Sequence, residues 1–396
     1  MDETSAIKSS PGTFRFSGEL FCSFFRLGLT AFGGPAMVAY IRQLAIEKNQ
    51  WLDEATFRQG VAICQVIPGA TAMQVAAYVG LRSGGPLGAI MAYLGFGLPA
   101  FLLMVILAAL YQSTHDQAAI VAVFRGLQLV VIAIVAGAAV SFGRSTVKTW
   151  QDIVLGLGVA AFLVAGGSVV PAIAAAAIIG LFLYKQKHVA TDNSLPPVAF
   201  TLSHLRTPLL LITVLLAGMA LLYFGNRRLF HLSLVMVKVD FFAFGGGYGS
   251  LPLMFHEVVD VRHWLDGKTF LDGIALGQIT PGPIVITATF VGYLVALLPG
   301  ALVGTIGIFA PSLILLTAAV PYFDRIRHNA HFQRAMHGTL VSFVGLLLSV
   351  TVRFALAVEW GVLQGVLVAL AFLALYRKVD MLWVVLGGAV FSFLLL

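Results

Sequence analysis

Arg26-Leu27-Gly28-Leu29-Thr30-Ala31-Phe32-Gly33-Gly34-Pro35 returns 212 residues downstream as Lys238-Val239-Asp240-Phe241-Phe242-Ala243-Phe244-Gly245-Gly246-Gly247. Trp51-Leu52-Asp53, Gln65 and Pro68-Gly69 likewise return as Trp264-Leu265-Asp266, Gln278 and Pro281-Gly282 at an offset of 213. Val79-Gly80, Gly95, Pro99 and Gly126 match Val291-Gly292, Gly307, Pro311 and Gly338 at 212 again. Two apolar copies with Gly and Pro breaks at matching places imply a transporter whose site lies between its repeats.

The 396-residue chain is 59% hydrophobic and 10% charged, with a mean hydropathy of +0.96. A soluble domain needs far more polar surface, so the fold class is an all-α polytopic membrane protein. Cys22 and Cys64 both sit in apolar runs and cannot build a disulfide framework. Residues 1–16 form a short polar cytoplasmic tail without a cleavable-signal pattern, and the first span acts as its own insertion signal.

Stretches near the ~20 residues that cross a bilayer fall at about 18–40, 58–80, 85–112, 118–142, 149–166 and 168–184. One more falls at about 207–224, and six follow at about 232–254, 270–297, 300–322, 332–355, 358–376 and 379–396. That gives about 13 transmembrane segments as 6 + 1 + 6. The first repeat covers 17–187, a connector with one helix covers 188–230, and the second repeat covers 231–396. Of 24 Lys and Arg residues, 15 lie inside if the N-terminus is cytoplasmic, against six outside: Arg42, Lys48, Arg58, Arg227, Arg228 and Arg353. This bias places the N-terminus in the cytoplasm and the C-terminus in the periplasm. The net charge of +7 then faces anionic membrane lipid, and nucleic-acid binding is excluded. Seven segments separate the two starts, so the halves form an inverted repeat, unless the Pro-Gly segment is a re-entrant hairpin, which changes the parity.

The three remaining basic residues, Arg26, Arg125 and Lys238, fall within spans. Lys238 is the repeat of Arg26, and Arg125 plus 212 is His337. A cation at the centre of a span costs about 2.5–3.5 kcal/mol, so these positions call for negative partners. Asp240, Glu19 and Asp272 are the acidic candidates, and a mobile anion is another. Snorkelling to the headgroups is the competing reading, chiefly for Arg26 and Lys238.

Gly33-Gly34-Pro35 interrupts the first span, as Gly245-Gly246-Gly247 interrupts its copy. Such breaks persist in a bilayer where they line a cavity or pack against protein. Free N–H groups at the start of a half-helix then bind anions without side-chain charge. Pro68-Gly69 and Pro281-Gly282-Pro283 add a second pair of ends, with Gln65, Gln278, Thr71, Thr280, Thr287 and Thr289 as polar neighbours. Close packing and kinks are the bland alternative for each motif.

As a set, Phe32-Gly33-Gly34-Pro35, Gln65-Val66-Ile67-Pro68-Gly69-Ala70, Phe244-Gly245-Gly246-Gly247 and Gln278-Ile279-Thr280-Pro281-Gly282-Pro283 resemble the signature segments of the ChrA-type chromate ion transporters in their long, two-domain form. The resemblance implies a bacterial inner-membrane protein that exports chromate, confers resistance to it, draws on the proton-motive force and takes sulfate as a competitor. Gly247 stands where the first copy has Pro35, so the halves need not contribute equally. A tetrahedral dianion suits backbone N–H groups, amides and hydroxyls with one or two cations. Arg26, Lys238 and Arg125 are expected to attract it. Gly33, Gly34, Pro35, Gly245, Gly246, Gly247, Gln65, Pro68, Gly69, Thr71, Gln278, Thr280, Pro281 and Gly282 are expected to surround it. Asp240 and His337 are the proton-coupling candidates.

An enzyme is the rival from another class. His256-Glu257-Val258-Val259-Asp260 opens like a zinc-protease helix but lacks the second histidine. No Gly-x-Ser-x-Gly elbow occurs either, so no catalytic residue, metal or cofactor is assigned. His256, Glu257, Asp260 and His263 read as a solvated cytoplasmic face. A channel or transporter for sulfate or another oxyanion is the nearer alternative, and a homodimer is compatible with such folds.

Overall fold

The computed structural model describes residues 13–32, 36–115, 117–184, 202–323 and 329–395, and among them there are helices and no strand. The first half comprises α1 (Thr13–Thr30), α2 (Ala36–Arg42) with a π-helical turn Gln43–Lys48, α3 (Glu54–Val66), α4 (Thr71–Thr114), α5 (Ala118–Thr146), α6 (Trp150–Val164) and α7 (Val169–Leu183). After the connecting α8 (Leu202–Gly225), the second half repeats the order. It runs through α9 (Arg227–Phe241), α10 (Gly247–Phe255) with a π turn His256–Val261, α11 (Gly267–Ile279), α12 (Thr287–Ala319), α13 (Ala330–Ala357), α14 (Val362–Tyr376) and α15 (Met381–Leu395).

Among the described residues, five helices are long and apolar enough to cross a membrane: Thr71–Thr114, Ala118–Thr146, Leu205–Gly225, Ile284–Tyr322 and Ala330–Ala357. The other stretches read as spans divide into shorter pieces. The segment 58–80 is two helices, α3 and the start of α4, folded back on one another: Gly60 faces the Tyr78 ring, and Tyr78 OH donates to Thr56 O at 3.2 Å. Each piece is 13 residues or so, about 20 Å long and shorter than the ~30 Å hydrocarbon core.

The break after α1 is also a reversal rather than a kink. Trp51, beyond α2, packs on Phe24 at 6.1 Å and on Phe16 at 6.2 Å, back beside the first half of α1. In the second half Lys238 of α9 meets Glu257 beyond α10, which a straight continuation would hold far away. The pair α6 and α7 returns as well, because Tyr184 OH donates to Asp152 Oδ1 at 2.6 Å.

α4 doubles back at Gly84 and Gly85 (φ +65°), so that a Cβ on Gly80 would lie 2.2 Å from Gly88 O. α12 does the same at Ala296 and Leu297, with Gly292 against Gly300. Lipid gives helices no hydrophobic reason to associate, and contact through small residues supplies the dispersion energy instead. Thus Gly95 lies on Phe21 O, and its repeat Gly307 lies on Ser233 O.

Both inner hairpins start with the same cap. Asp53 Oδ1 accepts from Thr56 N and Asp266 Oδ1 from Thr269 N, each at 2.8 Å. Those bonds hold the Asp53 carboxyl below the usual carboxylate range. Its contribution is therefore complete above the unfolded-state pKa and is lost as pH falls through the lowered one. Asp266→Ala is expected to cost about 1 kcal/mol, read as a small drop in the melting temperature of the purified protein.

Candidate substrate site

Each Pro-Gly tip docks on the other half's break. Gly69 N donates to Ala243 O at 2.9 Å, and Gly282 N donates to Ala31 O at 3.0 Å. Gly69 and Gly282 have φ of +118° and +119°, where side chains are strained. A Cβ would lie 2.3 Å from Ser312 Cβ at the first and 2.6 Å from Ala100 Cβ at the second. Ser312 is Ala100 plus 212, so the two contacts are counterparts. Nearby, α4 and α12 cross through Tyr93 OH, which donates to Phe309 O at 2.8 Å and lies 2.9 Å from Ser312 Oγ.

The helix starts converge on this crossing. Thr71, the first residue of α4, has its Oγ1 3.1 Å from the Cβ position of Gly246, immediately before α10. Gly247, which opens α10, meets Ile284 at the start of the segment leading into α12. The positive ends of three half-helices thus point to one region between the halves, which favours negative charge there. The carbonyl ends of α3, α9 and α11 arrive at the same place, and the Gly69 and Gly282 N–H groups occupy two of the neighbouring carbonyls.

Three buried polar atoms around the tips have no hydrogen-bond partner among the described residues: Asp240 Oδ1, Gln74 Oε1 and Gln278 Nε2. An unmet buried polar atom costs about 1–3 kcal/mol, so their clustering marks a place prepared for polar company. Asp240 is 1% exposed; its Oδ2 accepts from Ser312 N at 2.7 Å, not from Lys238 or Arg125. Gln74 is fully buried and donates through Nε2 to Pro68 O at 2.6 Å. Tyr248 OH, on α10, donates to Met381 Sδ at 3.7 Å. Thr280 and Thr287 spend their hydroxyl hydrogens on Gly277 O and Ile284 O, and Thr289 pairs with Thr305.

Of the residues expected at the site, the crossing brings together Gly69, Thr71, Gly245, Gly246, Gly247, Gln278, Thr280, Pro281, Gly282 and Asp240. Pro68 enters through its carbonyl, and Gly33, Gly34 and Pro35 lie outside the described residues. The others lie apart. Gln65 is exposed. Arg26 is exposed and has no ion pair among the described residues. Arg125 is exposed and lines a separate cavity with Asp272 and Lys268. His337 Nε2 sits 2.9 Å from Asp152 Oδ1, tying α13 to α6.

The expectation of a solvated face at His256–Asp260 is corrected. Glu257 is 3% exposed, with Lys238 Nζ at 2.5 Å and Arg262 as a second partner. Asp260 is paired with Arg353 and with His256 at 3.3 Å. Low dielectric makes such pairing obligatory for a charge so placed. A residue twelve positions past the Gly245 break reads as remote until the break is known to reverse the chain.

Known proteins carry the same plan. The chromate transporter family model matches residues 18–181 and again 230–393. An uncharacterized transporter of Methanocaldococcus jannaschii is 43% identical over 379 residues, covering 95% of this chain and 94% of the relative. A probable chromate transport protein of Synechococcus elongatus is 32% identical, covering 82% and 81%. The chromate transport protein of Cupriavidus metallidurans is 30% identical, covering 94% and 91%. No solved structure matches. With both halves matched in register and the breaks joined tip to break, the chain belongs to the chromate transporter family.

Proposed function

We propose that this protein exports chromate across the bacterial inner membrane, driven by the proton-motive force, and so confers chromate resistance. The observation that carries the site is the reciprocal docking of Gly69 on Ala243 and Gly282 on Ala31, which gathers helix N-termini between the halves. Sulfate, a tetrahedral dianion of the same charge, competes for that site. A dianion leaving an inside-negative cell at 100 mV gains roughly 4.6 kcal/mol, about a thousandfold in distribution, so export is electrically downhill.

In this reading the halves are inverted. From the start of α1 to the start of α9 the chain crosses through the later part of α4, through α5 and through α8. The pairs α1–α2, α3–α4 and α6–α7 return. Two re-entrant pairs thus leave the parity odd. Arg42, Lys48 and Arg58 then share the side of the N-terminus, and Arg262 and Lys268 move to the other. Three moved one way and two the other turn fifteen against six into sixteen against five, which supports a cytoplasmic N-terminus. The C-terminus is periplasmic, since Ser392 is bonded to Ala122 near the start of α5. The halves rock about the crossing, and Arg26 in one half and Lys238 and Arg125 toward the opposite face draw the anion in.

The test is uptake of labelled chromate into inverted membrane vesicles. Uptake is expected to require an energised membrane, to collapse with an uncoupler and to fall with excess sulfate. A large conductance indifferent to the uncoupler indicates a channel. Sulfate uptake that chromate does not inhibit indicates a transporter for another oxyanion.

A further inference from the structure

A cavity of about 340 Å3 lies at the seam between the halves, away from the tips. At its floor is Asp272, on α11 of the second half and 6% exposed. Both donors to its carboxylate come from the first half: Tyr111 OH on α4 reaches Oδ2 at 2.8 Å, and Gln128 Nε2 on α5 reaches Oδ1 at 2.7 Å. Tyr111 is itself fixed by Phe290 and Phe124, whose rings meet it edge-on at 5.2 Å.

The other charges facing this cavity come from every neighbouring element. His115 stacks on Tyr111 at the end of α4, and Arg125 comes from α5. Asp266 and Lys268 flank the start of α11, and Glu359 follows α13. At the mouth, Lys268 and Glu359 pair at 3.3 Å with side chains 54% and 92% exposed. None of the cations makes an ion pair with Asp272. It is a buried carboxylate held by two neutral donors across the seam, at the end of an aqueous approach. Its counterpart in the first half, 213 positions earlier, is Gln59, which cannot titrate.

We propose that Asp272 is the carrier of the coupling proton, and that its change of charge fastens and releases the seam between the halves through Tyr111 and Gln128. The inference rests on proton-coupled export as read above. The ionised carboxylate accepts from both donors, and hydrogen bonds to a charged acceptor are roughly twice as strong as neutral ones. A proton entering by the mouth binds one carboxylate oxygen. Gln128 Nε2 can only donate, so the new O–H turns toward Tyr111, whose own hydrogen must then point elsewhere. The clamp is weakened, the halves rock, and the same proton leaves to the other side. No covalent bond other than that O–H forms or breaks.

The experiment uses the full-length protein in liposomes, with chromate flux measured in two modes: driven by an imposed pH gradient, and as chromate–chromate exchange without one. Asp272→Asn keeps the shape and cannot carry a proton. The ratio of driven to exchange flux is expected to fall at least about tenfold, the scale of a lost acid–base group, while Asp272→Glu keeps a ratio near that of the parent. An Asp272→Asn protein with the parent's ratio overturns the assignment and leaves proton-coupled export standing. A parent protein that exchanges chromate but ignores the gradient overturns that reading and this inference together. Should Asp272→Asn not assemble, Gln128→Leu decides. Loss of a donor to the ionised form moves the pH midpoint of driven flux upward by on the order of one unit, and an unmoved midpoint overturns the proposal.

Discussion

Gly69→Ala and Gly282→Ala are each expected to abolish chromate transport and to destabilise the protein by about 2–6 kcal/mol, as backbone strain and overpacking of about 1–3 kcal/mol each combine. Both residues hold φ near +118°, and the added methyl would meet Ser312 Cβ at 2.3 Å or Ala100 Cβ at 2.6 Å. Neither neighbour can step aside, because each sits on a long helix that crosses the other half. The hydrogen bonds to Ala243 O and Ala31 O would lengthen as the tips retreat, and those bonds hold the halves in register. Gly85→Ala is the control. Its φ is +65° and its ψ −159°, yet nothing lies within 4 Å of the new carbon, so backbone strain of about 1–3 kcal/mol is expected without any overpacking. Ser312→Gly beside Gly69→Ala restores the space but not the dihedral angle, and about half the loss should return. Thermal melts in detergent, paired with vesicle uptake, measure both effects. A Gly69→Ala protein that melts with the parent would show that the tips are not seated as described.

The repeat, the breaks and their pairing across 212 and 213 positions were legible because identity at a fixed offset needs no geometry. What the sequence left open was direction. A Gly-Gly break between two stretches of 13 to 18 residues is compatible with a kinked span or with a return to the same surface, and hydropathy is identical in the two cases. That ambiguity put Arg42, Lys48 and Arg58 on one side by counting and on the other by contact. It also hid the partner of Lys238, since Glu257 comes near only if α10 runs back along α9. Asp240 illustrates a different limit: its partner is the backbone N–H of Ser312, and no residue type announces a backbone donor 72 positions away. Asp272 stood out only as an acid near a span end, because its two partners are a tyrosine and a glutamine that are unremarkable in sequence. Lys238 and the glycines beside it were singled out by symmetry, and so was Gln65, which is exposed where Gln278 is buried.

Glu257→Gln should lower stability by about 3 kcal/mol, the low end of the range for breaking a buried pair from one side. The carboxylate is 4% exposed and serves both Lys238 and Arg262, whose side chains are 38% and 26% exposed. Their partial access to water softens the loss, and Arg262 keeps its position over the Trp264 ring at 5.6 Å. Removing the cation as well relieves most of the penalty, so Lys238→Met with Glu257→Leu should be more stable than Glu257→Gln alone. A thermodynamic cycle over the pair is expected to show a coupling above 1 kcal/mol, and additive effects would rule out a direct interaction. Transport then separates two roles that stability confuses. If Lys238 merely balances Glu257, the double variant recovers chromate uptake together with its folding. If Lys238 also draws the anion toward the crossing, uptake stays low in a protein that folds well. The second outcome is expected here, because Lys238 is repeated as Arg26 in a half whose residue 212 positions before Glu257, Ala45, carries no charge for the arginine to balance. A cation at both positions, with that counterion at only one of them, is what attraction of a dianion predicts.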